Sequence, residues 1–242
     1  MRNPKWHRDE IILALDLYYD KDLGPVDSNN NKIIELSKLL NNLPIFDNKP
    51  NQQTFRNPNG VTLKLSNFKA LDPDYLGKGM EAYSKLDKEV FEEFHNDKTR
   101  LHNIANEIKK ISNNPELINE VSKIENDETI ENDSVSEGQV LYKLHKVRER
   151  NRKIIEAKKK KVLKETNELK CEVCDFDFEK TYGQIGKGYI ECHHLIPLSN
   201  FQVNKETKLE DLALLCSNCH KMIHKDLAIK TIKEFKSKIK LK

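Results

Sequence analysis

Apolar residues recur at helical spacing through much of the first half of the chain. Between Asp9 and Asp20, Ile11, Ile12, Leu15 and Tyr19 fall on one helical face, and Leu13 and Leu17 widen the stripe. After a turn at Asp22-Leu-Gly-Pro25, Ser28 can cap a second helix whose Ile33, Ile34, Leu36, Leu39, Leu40 and Leu43 face inward, and Pro44 marks its end. The period then changes. Asn57-Pro-Asn-Gly60 reads as a turn, and Val61, Leu63 and Leu65 alternate after it, which predicts a β-hairpin or wing over 53–65. Val90, Phe91, Phe94, Leu101, Ile104, Ala105 and Ile108 predict a third helix from about Asp87 to Ile111. Gln139 to Thr166 holds strong helix formers with neither Gly nor Pro, and predicts another.

Between these regions, Asn113 to Glu137 is acidic, Asn-rich and poor in aromatics, the composition of a solvated linker. The expected organisation is a first domain over 1–112, an acidic linker over 113–138 and a second domain over 139–242. Charge sharpens this division. The net +3 of the 242-residue chain hides 17 basic and 17 acidic groups up to residue 110. One Lys stands against eight Asp/Glu from 111 to 138, net −7, and 24 basic against 14 acidic groups follow, net +10. A basic second half beside a neutral first half points to a polyanionic partner, most simply nucleic acid. No stretch approaches 18 consecutive apolar residues, so no membrane span is expected. The first residues lack the apolar run of a secretory signal, and five cysteines leave one unpaired in any disulfide scheme, so a reducing cytoplasm is the expected compartment.

The most specific chemistry lies in Cys171-Glu-Val-Cys174 and Cys216-Ser-Asn-Cys219. Two such knuckles can put four thiolates at the corners of one tetrahedron, the geometry of closed structural zinc sites. A redox pair needs only one knuckle, and a disulfide pair conflicts with the expected compartment. The 41 residues between the knuckles exceed those of a plain zinc ribbon, and they carry Glu191-Cys-His193-His194. His220 and His224 follow the second knuckle four residues apart, so a helix projects both imidazoles from one face toward one ion. On a strand, His193 and His194 point to opposite sides, so one can ligate a metal while the other holds a water. Metal-facing histidines beside an uncommitted one form a hydrolytic constellation. His7, His95, His102 and His145 are read as ordinary surface or core histidines, and Cys192 as a buried thiol.

Glu191-Cys-His193-His194-Leu-Ile-Pro197, followed by Leu209-Glu-Asp211 and Leu215-Cys-Ser-Asn-Cys-His220-Lys-Met-Ile-His224, resembles the HNH nuclease family with a four-cysteine zinc site, over about residues 165–230. The resemblance implies an α+β chain whose carboxyl-terminal domain is a ββα-metal fold stapled by Zn2+. It implies that His194 is the general base, that His193 and His220 bind a catalytic Mg2+, Mn2+ or other divalent ion, and that His224 is a third ligand or phosphate contact. Glu191 would orient or help bind. Asp211 stands where the family name has Asn, and would orient His194 through the backbone or stabilise its loop.

Trp6-His-Arg-Asp-Glu10, Phe55-Arg-Asn-Pro-Asn-Gly60 with Lys64 and Asn67, Leu71-Asp-Pro73 and the Arg148-Glu-Arg-Asn151 segment are similar to McrA-like, modification-dependent restriction endonucleases of the type IV kind. That likeness implies an amino-terminal, mainly helical domain that recognises modified cytosine, such as 5-methylcytosine, in double-stranded DNA. On the expected wing, Arg56, Asn57, Asn59, Lys64 and Asn67 are candidate DNA contacts, because amide and guanidinium groups read base edges. Arg148, Arg150 and Arg152, with Lys158 to Lys161, are candidate phosphate contacts. A duplex cut needs two strand cleavages, so a homodimer on DNA is expected. Two other readings stay open: an HNH nuclease indifferent to modification, whether sequence-specific or nicking, and a non-cleaving modified-DNA-binding protein.

Overall fold

A computed structural model of the chain describes residues 3–46, 53–80, 82–124, 138–149, 151–195, 207–225 and 231–239. The chain divides into two compact units, Met1–Leu144 and His145–Lys242. Among the described residues no helix is long and apolar enough to cross a membrane.

The first unit is built around α1 (Arg8–Tyr18), which packs against α2 (Asn31–Asn42), α3 (Pro58–Leu71), α4 (Lys85–Phe94) and α5 (Lys98–Ser112). Ile11, Ile12, Leu13, Ala14 and Leu15 are all fully buried, so α1 is apolar on every side over these turns and sits at the centre rather than on a face. Its start is fixed by a capping box: the His7 side chain accepts from the Asp9 amide, and Glu10 accepts from the His7 amide at 2.7 Å.

Two expectations are corrected here. The hairpin expected over 53–65 is absent; 58–71 is α3. Asn57 caps the helix by accepting from Gly60 N at 2.9 Å, and Pro58 occupies the first turn, where its missing N–H is not needed. Val61, Leu65 and Phe68, at helical spacing, are fully buried, whereas Leu63 is 52% exposed. The helix expected from Asp87 to Ile111 is two helices, parted where Asp97 caps α5 through Arg100 N at 3.0 Å. Within the expected linker, Asn114 and Pro115 start α6 (Pro115–Ser122), which packs on α5 and buries Val121. Residues 125–137 of that linker lie outside the described residues.

The expected helix 139–166 is also two: α7 (Gln139–Glu149) and α8 (Arg152–Thr166). The boundary between the two units falls within α7, whose Val140, Leu141, Tyr142 and Leu144 are buried in the first unit. The buried Asp9 carboxylate caps α7, accepting from Gln139 N at 2.9 Å and Val140 N at 3.1 Å. Burial opposes ionisation of Asp9, but His7 and these amides outweigh it and hold its carboxyl below the usual range. Gly138 leads into this cap at φ +99°, and a Cβ there would lie 2.4 Å from Asp9 Oδ1. Gly138→Ala is therefore expected to destabilise the first unit by about 1–3 kcal/mol through backbone strain alone, with the clash adding to it. Denaturant melts of the two proteins check this, and coincident curves would contradict it.

In the second unit, β1 (Glu191–His194) pairs antiparallel with β2 (Leu212–Leu215), with His193 opposite Ala213 and His194 opposite Leu212. Around this hairpin lie the short α9 (Phe178–Tyr182), then α10 (Ser217–Lys225), which packs on both strands, and α11 (Ile232–Lys238). Val173, Ile190, Leu212, Leu214, Leu215, Ile223 and Phe235 form its core together with the cysteines. Among the described residues, helices with one two-stranded hairpin make the chain α+β as expected, and the hairpin belongs to the second unit.

Candidate metal centres

The four knuckle cysteines converge. One Sγ from each of Cys171, Cys174, Cys216 and Cys219 lies within 4.8 Å of every other. The Cys174 and Cys216 sulfurs are 3.7 Å apart, far beyond a disulfide and close to the tetrahedron edge of about 3.8 Å that Zn–S bonds of about 2.3 Å require. Local backbone geometry builds the knuckles: Asp175 turns at φ +58°, its amide reaching Cys171 O at 2.9 Å, and Cys219 N donates to Cys216 Sγ at 3.4 Å. Burial pushes the Cys174 thiol up to about 11 and the Cys219 thiol higher still, so a metal must displace their protons. The donor set fits a closed zinc site. Cys192 is a separate buried thiol raised by burial to about 11.

A second cluster gathers on β1, α7 and α10. His193 from β1 and His224 from α10 meet His145 and Glu149 from α7, with one ligand atom of each within 4.8 Å of all the others. His220 adjoins this group: its Nε2 lies 3.0 Å from His224 Nε2 and 3.1 Å from Glu149 Oε1. Its other nitrogen, Nδ1, is 2.6 Å from Glu191 Oε2, while Glu191 Oε1 accepts from Tyr189 Oη at 3.1 Å and from Ser217 Oγ. A carboxylate on the far nitrogen fixes both the ring's orientation and its tautomer.

Electrostatics follow from this packing. Burial works against charge on His220, but Glu149 and Glu191 outweigh it and lift its pKa to about 9. Burial pushes His193 down to about 3 and also lowers His224. For Glu149, burial opposes ionisation, and the surrounding imidazoles overcome it to hold the carboxyl well below its usual value. His220, above all through its hydrogen bond, pulls Glu191 down to about 2. Two carboxylates, Glu149 and Glu191, thus stand among the imidazoles, a donor set suited to a cation.

Of the expected site residues, His193, His220, His224 and Glu191 are brought together. His194 is 3% exposed and lies outside the donor group, its ring centroid 5.5 Å from that of His145. Asp211 acts locally: its carboxylate accepts from Lys208 N at 3.0 Å, and its carbonyl accepts from Leu195 N at 2.7 Å, which ties down the residue after His194. His145, read from the sequence as ordinary, is corrected: it stands in the cluster with Glu149, four residues along one helix face. That spacing was the available signal.

The candidate DNA contacts of the first unit fare differently. Arg56 is buried, with Nε 2.6 Å from Glu10 Oε1 and Nη2 2.7 Å from Oε2, and donates further to the carbonyls of Pro4 and Lys5. Lys64 is buried against Asp87 at 2.6 and 2.8 Å, and burial lowers its pKa. Their placement on an exposed wing is corrected: both are internal ion-pair partners. Asn57 is a helix cap, Asn59 is exposed, and Asn67 is half-buried on α3. Arg152 is exposed on α8, while Arg150 and the Arg148 side chain lie outside the described residues.

Residues 171–226 match the family model of HNH endonucleases. No curated protein and no solved structure matches the chain. The matched segment contains both knuckles and the four histidines of β1 and α10, and excludes α7.

Proposed function

We propose that the protein is a metal-dependent DNA endonuclease that hydrolyses phosphodiester bonds, and that it is a restriction enzyme of the type IV kind directed at DNA carrying modified cytosine, 5-methylcytosine in the first place. The observation that carries the hydrolytic part is the meeting of His193, His220 and His224 around a carboxylate, within a segment that also carries the four-sulfur centre and matches a nuclease family. A divalent cation there supplies a Lewis acid that offsets charge on the phosphoryl and departing oxygens. His193 and His224, kept neutral by burial, present lone pairs for that ion. Glu191 holds His220 by Nδ1 and leaves Nε2 for the pocket. His194 is the proposed base; its burial requires that the substrate-bound site open to its ring. The basic second half, with Arg152 and the lysines of α8, supports attraction to the DNA backbone. The modified-base specificity rests on the resemblance of the first unit to McrA-like proteins; the compartment is the cytoplasm and the working form a dimer on DNA.

The test is a digestion panel: unmodified, 5-methylcytosine and 5-hydroxymethylcytosine plasmids, each with Mg2+, Mn2+, Co2+, Ni2+ or Zn2+. Cleavage confined to modified DNA is expected. Equal cleavage of unmodified DNA would overturn the specificity, and intact DNA under every condition would overturn the nuclease reading.

A further inference from the structure

We infer that α7 completes the cation site: His145 and Glu149 are ligands of the same ion as His193 and His224, and this nitrogen-rich set takes a transition-metal ion rather than magnesium. The inference rests on the proposed presence of a catalytic cation in this pocket and adds to it two ligands outside the family-matched segment.

Glu149 stands at the middle of the cluster. Its Oε1 has three imidazole nitrogens around it: His145 Nε2 at 3.0 Å, His193 Nδ1 at 2.9 Å and His220 Nε2 at 3.1 Å. Its Oε2 lies 3.3 Å from His224 Nε2. A carboxylate oxygen offers about two lone-pair directions, so three close nitrogens on one oxygen exceed what hydrogen bonding alone can use. Nor can His220 Nε2 and His224 Nε2, 3.0 Å apart, both point protons at each other. Four imidazole nitrogens thus crowd one carboxylate more closely than paired hydrogen bonds account for. A cation resolves this. Ligand bonds of about 2.0–2.2 Å, spread over angles from octahedral to tetrahedral, put neighbouring donor atoms about 2.8–3.6 Å apart, and the distances from Glu149 to the four nitrogens fall in that window.

Sequence and helix geometry make α7 a fit carrier. His145 and Glu149 are four residues apart, one above the other on a single face, so both reach one point without distorting the helix. His145 is buried at 4% exposure and the Glu149 side chain is only 8% exposed, and a covered carboxylate among imidazoles is costly unless fully partnered. Donor chemistry then decides the ion. Imidazole nitrogens suit Zn2+, Ni2+ and their neighbours, whereas Mg2+ keeps oxygen ligands and its own waters.

The experiment measures ion binding without DNA. The full-length chain is loaded with one equivalent of Zn2+ to fill the cysteine centre, then titrated calorimetrically with Ni2+ and, separately, with Mg2+. The wild type is expected to take one further Ni2+ and to show no binding of Mg2+ at the same concentrations. His145→Ala and Glu149→Gln are each expected to weaken Ni2+ at least about tenfold, since even outer-shell partners of a metal ligand matter that much. Thermal melts of the metal-free proteins guard against misfolding. If Glu149→Gln lowers the metal-free melting temperature yet binds Ni2+ as tightly as wild type, Glu149 is only a structural partner and the inference fails. Mg2+ binding as tight as Ni2+ overturns the ion class. A wild type that takes no second ion overturns the cation site itself, and with it the proposed nuclease; retained wild-type binding with unaffected variants removes only the role of α7.

Discussion

Replacing Cys216 with serine is expected to leave the second unit unfolded while the first unit keeps its cooperative melt. The reason lies in what each unit has to hold it together. The first has a helix buried on all sides at its centre, with Phe55, Phe68 and Phe94 fully buried besides. Among the described residues the second has two four-residue strands and, apart from α8, only short helices, and four of its buried core members are cysteines, three of them from the knuckles. A structural zinc contributes on the order of 10 kcal/mol or more to such a domain, comparable with the whole stability of an ordinary one. Serine offers no thiolate, and the three remaining sulfurs, held protonated by burial in the case of Cys174 and Cys219, bind far less well. Hydrogen exchange read by mass spectrometry separates the two units: amides of β1, β2 and α10 lose protection, those of α1 and α5 do not. Chelation of zinc from the wild type reproduces the pattern. Full protection of β1 and β2 in the zinc-free variant would rule out a structural role for this centre.

The same contrast explains how much of the molecule the sequence makes legible. The cysteine knuckles and the His220/His224 pair announce themselves, because Cys and His are common metal-binding side chains and their spacings, three and four residues, are short-range geometry. The hairpin of the second unit is legible only through the resemblance of its histidine segments to a known family. The helix α3 is misread because Val61, Leu63 and Leu65 satisfy a period of two while Val61, Leu65 and Phe68 satisfy a period of 3.6. The Asn57-Pro58 pair, a cap followed by a first-turn proline, carries the deciding information. Arg56 and Lys64 are misread because their partners, Glu10 and Asp87, lie 46 and 23 residues away, and a cation whose counter-ion is remote looks exposed. Glu149 is missed similarly: it meets His193 across 44 residues and His220 across 71, and its one local mark is the four-residue spacing from His145. What stays hidden in the sequence is long-range pairing of charge.

His194→Ala is expected to reduce cleavage about 100- to 10,000-fold, the span that a positioned general base contributes, while ion binding and DNA binding persist. The direction follows from position. His194 sits on β1 next to His193 of the cluster, and Asp211 O holds the following amide, so its backbone is fixed beside the pocket. Its ring, 5.5 Å from that of His145, is one ring removed from the donors and is not one of them, so truncating it leaves the ligands in place. A base must come within hydrogen-bond reach of the attacking water, and a ring that is 3% exposed reaches it only when substrate binding opens the pocket. The loss is therefore expected in single-turnover cleavage at saturating DNA, where chemistry rather than association is measured. His193→Ala provides the contrast, losing Ni2+ affinity together with cleavage. If His194→Ala cuts at the wild-type single-turnover rate, the base is another group and the buried ring is a packing element; if it loses ion binding along with cleavage, His194 belongs among the ligands.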